Sequence, residues 1–223
     1  MPSRARTERR GGQTFIEAAR RDQIVAGAIA VLAEEGYGGA SFARIARRVG
    51  ISPGLISYHF ANKEDLVGAV VAQVTEALEA AIADRTGAAS DHHAALRAMV
   101  EAQVEFFAAH PSEVNALGTI RNNARDTATG AKAALAHRAA ATARLERFFR
   151  DGQAAGDFAP GDARLLAVTT IGALEAVPLE LATRPETDPA HYGRELATLL
   201  ARTAGAGAGG VPNGVGFHGG HDA

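Results

Sequence analysis

The stretch Ser41 to Lys63, SFARIARRVGISPGLISYHFANK, holds the residue types and spacings best suited to a chemistry, and that chemistry is binding. Phe42, Ile45, Ala46 and Val49 recur at i, i+3, i+4 and i+7, which predicts a short helix with one buried stripe. Arg44, Arg47 and Arg48 then fall on its other faces. Gly50-Ile51 breaks the helix, and Ser52-Pro53 opens a second one, a cap followed by proline at the first helical position. Ala46 lies four residues before Gly50 and is small enough for the second helix to approach closely. This is the helix-turn-helix arrangement, whose second helix is free to enter a DNA major groove. A generic two-helix corner shares these features, so spacing alone leaves both readings open.

Little else recommends other chemistry. Gly205, Gly207 and Gly210 satisfy G-x-G-x-x-G, but no strand pattern precedes them and too little chain follows for a dinucleotide fold. His92 and His93 are adjacent, where a helical metal pair wants i, i+3 or i, i+4. His218 and His221 sit in a Gly-rich tail. There is no Cys, which excludes a disulfide scaffold, a cysteine zinc site and a thiol nucleophile. No metal, no cofactor and no catalytic residue are expected.

The elements that position the stretch are all predicted helical, since no period-two alternation is sustained. A first helix spans about 20–35, with Ile24, Ala28, Val31 and Leu32 on one face and Gly36 as its stop. Ser41 caps the helix Phe42 to Val49, and the short third helix ends near Tyr58 to Phe60. Asn62 caps a fourth, which opens Lys63-Glu64-Asp65 with acids suited to a helix N-terminus. Five more follow at about 91–109, 112–125, 130–154, 161–182 and 190–203, with a kink or early end expected at Pro178.

The 223 residues divide into a basic arm (1–19), a helix-turn-helix unit (20–66), a helical body (67–204) and a Gly-rich tail (205–223). Arm and tail are expected to be loosely ordered. Residues 1–65 carry ten basic and seven acidic groups, while the rest carry 13 and 18, for a total of −2. That excludes coating nucleic acid by bulk charge but fits a nucleic-acid-binding end joined to something else. Two Lys against 21 Arg, with abundant Ala and Gly, suit a GC-rich bacterial genome. No signal segment is evident. The longest apolar-leaning run, Leu165 to Val177, is 13 residues and contains Glu175, short of the roughly 20 a membrane span needs. A cytoplasmic protein without a membrane partner is expected.

The stretch resembles the DNA-binding unit of the tetracycline-repressor (TetR) family of bacterial transcription regulators. The resemblance rests on Ser41-Phe42, Ile45-Ala46, Gly50-Ile51-Ser52, Pro53-Gly54, Tyr58-His59-Phe60 and Lys63-Glu64-Asp65-Leu66, and covers about residues 20–70. It implies an all-α fold, with a three-helix reading head and a helical body that binds an effector and dimerises. It implies that Ser41, Lys63, Tyr58 and His59 contact phosphates of double-stranded operator DNA, with Arg44 as an extra contact. Base readout then falls to Ser52, Pro53, Gly54, Leu55 and Ser57. The chain departs from the family at Ser57, where many members carry Tyr.

For the body, the resemblance implies a small-molecule effector and a homodimer on a palindromic operator. Met99, Phe106, Phe107, Leu117, Ile120, Arg121 and Phe148 are the pocket candidates. Leu165, Val168, Leu174, Val177, Leu196, Leu199 and Leu200 are the dimer candidates, some of which must pack within one subunit. The function expected is a ligand-released repressor. The alternatives are an activator or ligand-independent regulator on the same scaffold, and a helical enzyme.

Overall fold

The computed structural model describes residues 4–125 and 128–205, with side chains for 16–123 and 138–205. Among the described residues there are nine helices and no strand: α1 (Arg4–Gly39), α2 (Phe42–Val49), α3 (Pro53–His59), α4 (Lys63–Thr86), α5 (His92–Ala109), α6 (Pro111–Arg125), α7 (Ala128–Ala155), α8 (Ala163–Thr183) and α9 (Pro189–Gly205). The five helices predicted downstream of α4 begin and end within two residues of their expected bounds. The start of the first helix is a correction, because α1 begins at Arg4 rather than near residue 20. Arg and Gln are good helix formers, so a basic composition there does not oppose helix. The expectation for the Gly-rich tail lies outside the described residues beyond Gly205.

Local signals explain the head. Gly36 has φ 74° and ψ 178°, which breaks α1 where the sequence placed its stop. The side chains of Ser41, Ser52 and Asn62 accept from the N–H groups of Arg44, Leu55 and Asp65, capping α2, α3 and α4. Asp65 returns the favour by accepting from Ala61 N–H at 3.1 Å, a reciprocal cap. Gly50 takes φ 72°, and both Gly50 and Ile51 N–H donate to the Ala46 carbonyl, closing α2 with a left-handed cap.

Two apolar clusters hold the chain. The first joins Ile24, Val25, Ala28, Val31 and Leu32 of α1 to Ile45, Ala46, Ile56, Phe60, Leu66, Val70 and Val74, and includes Phe106 and Ala116 from α5 and α6. The head is therefore built onto the body through α6. The second gathers Leu96, Val100, Phe149, Phe158, Ala167, Leu174, Ala197, Leu200 and Ala201. Here α5 and α9 cross closely at Gly193, where a Cβ would lie 3.4 Å from the Val104 Cβ.

At Pro178 the helix does not end early: α8 runs on to Thr183. Proline's φ is helical, so the ring costs one N–H there without forcing a stop. Two helices are longer apolar stretches than the 13-residue run from Leu165 to Val177, as core helices of helical folds often are. Lys63–Thr86 and Ala163–Thr183 are long and apolar enough to cross a membrane by length and composition. The run in α8 extends past Val177, and small apolar residues make α4 apolar around its charges.

Candidate nucleic-acid interface

α3 is pinned from behind by Ile56 and Phe60, at 0% and 1% exposure. Its other residues face out. Ser52, Pro53, Gly54 and Ser57 are exposed, Leu55 is half-buried, and Tyr58 is 73% exposed. The Ser57 hydroxyl donates to the Pro53 carbonyl at 3.3 Å, so in the free protein it is held by its own helix. The rings of Tyr58 and His59 meet edge to face with centroids 5.1 Å apart.

The flanking residues lie at the starts of α2 and α4. Ser41 is exposed and caps α2 through its hydroxyl. Arg44 is exposed but pairs with Glu35. Arg48 holds Glu34 with two bonds of 2.6 Å, which keeps the Glu34 carboxyl below the ordinary carboxylate range. Among the described residues Arg47 has no carboxylate partner. The Lys63 ammonium donates to the Tyr37 carbonyl and lies 4.0 Å from the Tyr37 ring centroid. Burial pushes the Lys63 pKa down, with Glu64 opposing.

All ten residues named for DNA thus fall on α2, α3 and the start of α4, packed around one core. The bracing residues were missed. Arg21 donates to the His59 carbonyl at 2.9 Å and its guanidinium lies 4.1 Å from the Phe60 ring centroid, tying α1 to the end of α3. Gln23 Nε2 donates to the Val49 carbonyl at 3.2 Å. Tyr37, Glu34 and Glu35 are tethers of the same kind. Their partners are distant in sequence, so no local signal marks them.

Gly50-Ile51-Ser52-Pro53-Gly54 also spells G-x-S-x-G, the pattern of a nucleophile elbow. An elbow needs a strand before its serine. Here helix α2 precedes, and the Ser52 oxygen accepts from Leu55 N–H at 3.3 Å as a cap.

The seven pocket candidates do not converge. Phe106 is part of the first core, with Phe107, Leu117 and Ile120 packed against it. Met99 and Phe148 pack against the second core, and Arg121 is exposed. Helical spacing of aromatics marks burial but not which core receives them. Two open surface clefts among the described residues, about 350 and 250 Å³, are lined by other residues. The first lies on α9 (Tyr192, Glu195, Leu196, Thr198, Leu199, Arg202) and the second between α1 and α4.

The dimer candidates divide in a regular way. Leu174, Val177 and Leu200 are buried within the subunit, and Leu196 packs half-buried against its core. Leu165, Val168 and Leu199 are 63%, 40% and 61% exposed, as is Leu179 at 69%. Exposed and buried apolar positions alternate at helical spacing along α8, so one face packs against α5, α7 and α9 while Leu165, Val168 and Leu179 stay uncovered among the described residues.

A capped helix-turn-helix on an all-helical body defines the class of two-part helical DNA-binding folds. Residues 24–70 match bacterial regulatory proteins of the tetR family, and residues 89–181 match the tetracyclin repressor-like C-terminal domain. The chain belongs to the tetR family. It is 37% identical over 84 residues to the HTH-type transcriptional regulator BetI of Ectopseudomonas mendocina, covering 37% of this chain and 43% of that protein. It is 32% identical over 87 residues to the BetI of Stenotrophomonas maltophilia, covering 39% and 44%. The chain thus spans less than half the length of these curated relatives. Among solved structures, the fatty acid degradation regulator FadR from Bacillus halodurans superposes with a TM-score of 0.70 at 23% identity, over 81% of this chain and 97% of that one. FadR from Bacillus subtilis, in complex with stearoyl-CoA, gives 0.70 at 18% identity, over 80% and 96%. At these identities the likeness is one of fold.

Proposed function

We propose that the chain is a sequence-specific DNA-binding transcriptional regulator, a homodimeric repressor that leaves a palindromic operator when a small-molecule effector binds. The observation that carries this is α3, a short helix anchored by Ile56 and Phe60 with Ser52, Pro53, Gly54, Ser57 and Tyr58 facing outward. Ser41, Arg44, Tyr58, His59 and Lys63 position the duplex through its phosphates, which carry no sequence information. Ser52, Pro53, Gly54, Leu55 and Ser57 read base edges, with Leu55 against a thymine methyl and Ser57 donating or accepting.

The head is the unit 20–66, and the body 67–204 binds effector and dimerises. The exposed apolar face of α8 and α9 supports a two-fold four-helix interface, and two-fold symmetry supports a palindrome. Phe106, Phe107, Leu117 and Ile120 join body to head, so a ligand that binds one arrangement of α5 and α6 better shifts the head with it. The Bacillus subtilis FadR was solved with stearoyl-CoA, which makes a long-chain acyl thioester the first ligand to try. A bacterial cytoplasm is the compartment this function requires.

The test separates positioning from reading. Lys63→Ala weakens binding to all duplexes about equally, whereas Ser57→Ala changes preference at one base step. An identical, sequence-independent effect of both changes would refute the division.

A further inference from the structure

We propose that Glu34 and Glu35 are built-in phosphate surrogates, carboxylates that occupy the guanidinium groups of Arg48 and Arg44 until duplex phosphates displace them. The inference rests on the DNA-binding reading above and adds what limits the strength of that contact.

Three arginines decorate α2, and two are already engaged. Glu34 and Glu35 end the regular part of α1, one residue before the break at Gly36. Carboxylates at a helix C-terminus face the negative end of its dipole, so the dipole disfavours them there. Their placement serves the neighbouring helix instead. Glu34 meets Arg48 bidentately at 2.6 Å, the fork geometry by which arginine also takes phosphate. Glu35 meets Arg44 across Gly39. A Cβ at Gly39 would lie 2.7 Å from Glu35 Cβ and 3.5 Å from the Arg44 guanidinium, so the absent side chain leaves that crossing open. Arg44 and Arg48 are one helical turn apart, and all four side chains are at least about one-third exposed. The pairs are therefore reachable by solvent and by a polyanion. Exposed ion pairs are weak, so they tune contact rather than block it.

The consequence is measurable. A phosphate that takes an arginine from a carboxylate leaves that carboxylate uncompensated beside the duplex, and net counterion release is reduced. Freeing both arginines should steepen the slope of log K against log salt by about 0.9 for each additional phosphate neutralised. Affinity should rise about two- to fivefold per arginine at moderate salt, equally on the operator and on random duplex.

The experiment uses the full chain and fluorescence anisotropy with an operator and a random duplex, from low to moderate salt. Variants are Glu34→Gln with Glu35→Gln, the same pair with Arg48→Ala added, and a control, Glu101→Gln with Glu105→Gln. The control removes equal charge and frees Arg85 from its partners. Arg85 is 22 residues from Lys63 along α4, roughly 33 Å at 1.5 Å per residue, well beyond the screening length of about 8 Å. A steeper slope and tighter binding in the first variant, reversed in part by Arg48→Ala and absent from the control, is the expected result. An unchanged slope, or the same gain in the control, overturns the inference while leaving the DNA-binding reading standing. Wild-type protein that binds no duplex at any salt would overturn both. Circular dichroism melts confirm that each variant is folded.

Discussion

The Lys63 ammonium sits 4.0 Å from the Tyr37 ring centroid and donates to the Tyr37 carbonyl, joining the start of α4 to the end of α1 beyond its break at Gly36. On the proposed reading, the contact holds one phosphate-binding cation in place before DNA arrives. A cation over an aromatic face contributes about 0.5–1 kcal/mol at such sites. Tyr37→Ala is expected to lower stability by about 1 kcal/mol and to weaken binding on every duplex alike, whereas Tyr37→Phe keeps ring and carbonyl and stays near wild type. Thermal melts and anisotropy on two unrelated duplexes check this. A loss confined to one sequence would contradict it.

Two glycines in the head fail for different reasons when given a side chain. Gly50 has open space around it but φ 72°, so Gly50→Ala carries the left-handed penalty of about 1–2 kcal/mol. Gly27 is helical, and its Cβ would lie 2.2 Å from Val49 Cγ1, so Gly27→Ala overpacks the α1–α2 contact at a cost of about 1–3 kcal/mol. Truncating Val49 to Ala should rescue Gly27→Ala and do nothing for Gly50→Ala. Denaturant titration of the single and double variants decides it.

Exposure sorts the dimer candidates into testable groups. Leu165→Asp with Leu199→Asp places charge on surface that is 63% and 61% exposed in one subunit, so the fold should persist while the dimer separates. Val177 is fully buried, and Val177→Asp should unfold the body. Sedimentation velocity and circular dichroism report the two outcomes. An unchanged mass for the double variant would place the interface elsewhere.

Asp157 ties the end of α7 to the start of α5. His92 donates to its carboxylate from Nδ1 at 2.6 Å and from the backbone N–H at 3.1 Å. These two bonds hold the Asp157 carboxyl below the ordinary range, helped by the charges of His92 and His93. Asp91 also lies close enough to feel its charge. A depressed carboxylate contributes stability that is present above the unfolded value of about 3.9 and lost as pH falls through the folded one. Asp157→Asn should therefore melt below wild type at neutral pH, and the gap should close below about pH 3.9. A gap that persists in acid would assign the effect to packing instead.

The head was legible because its instructions are local. Ser41, Ser52 and Asn62 each cap a helix whose first N–H groups lie three residues away, and Gly36 and Gly50 stop helices at their own φ. The braces were not legible. Arg21 reaches a carbonyl 38 residues away and Lys63 one 26 away, and nothing near either residue names the partner. The pocket candidates were not sorted by the sequence for a related reason: Phe106 and Phe148 share aromatic character and helical spacing but belong to different cores. On α8 the pattern was apolar on two faces, so the sequence could name Leu165 and Val177 together but could not separate outward from inward.

The central claim is sequence-specific recognition by a two-fold pair of α3 helices. Selection of bound sequences from random duplex DNA at near-physiological salt tests it directly, with wild-type protein beside the Leu165→Asp, Leu199→Asp variant. The account predicts an enriched palindrome for wild type, with half-sites about one helical turn or a multiple of it apart, and loss of that spacing constraint in the variant. Folded wild-type protein that enriches no sequence, or only an asymmetric one, would contradict it.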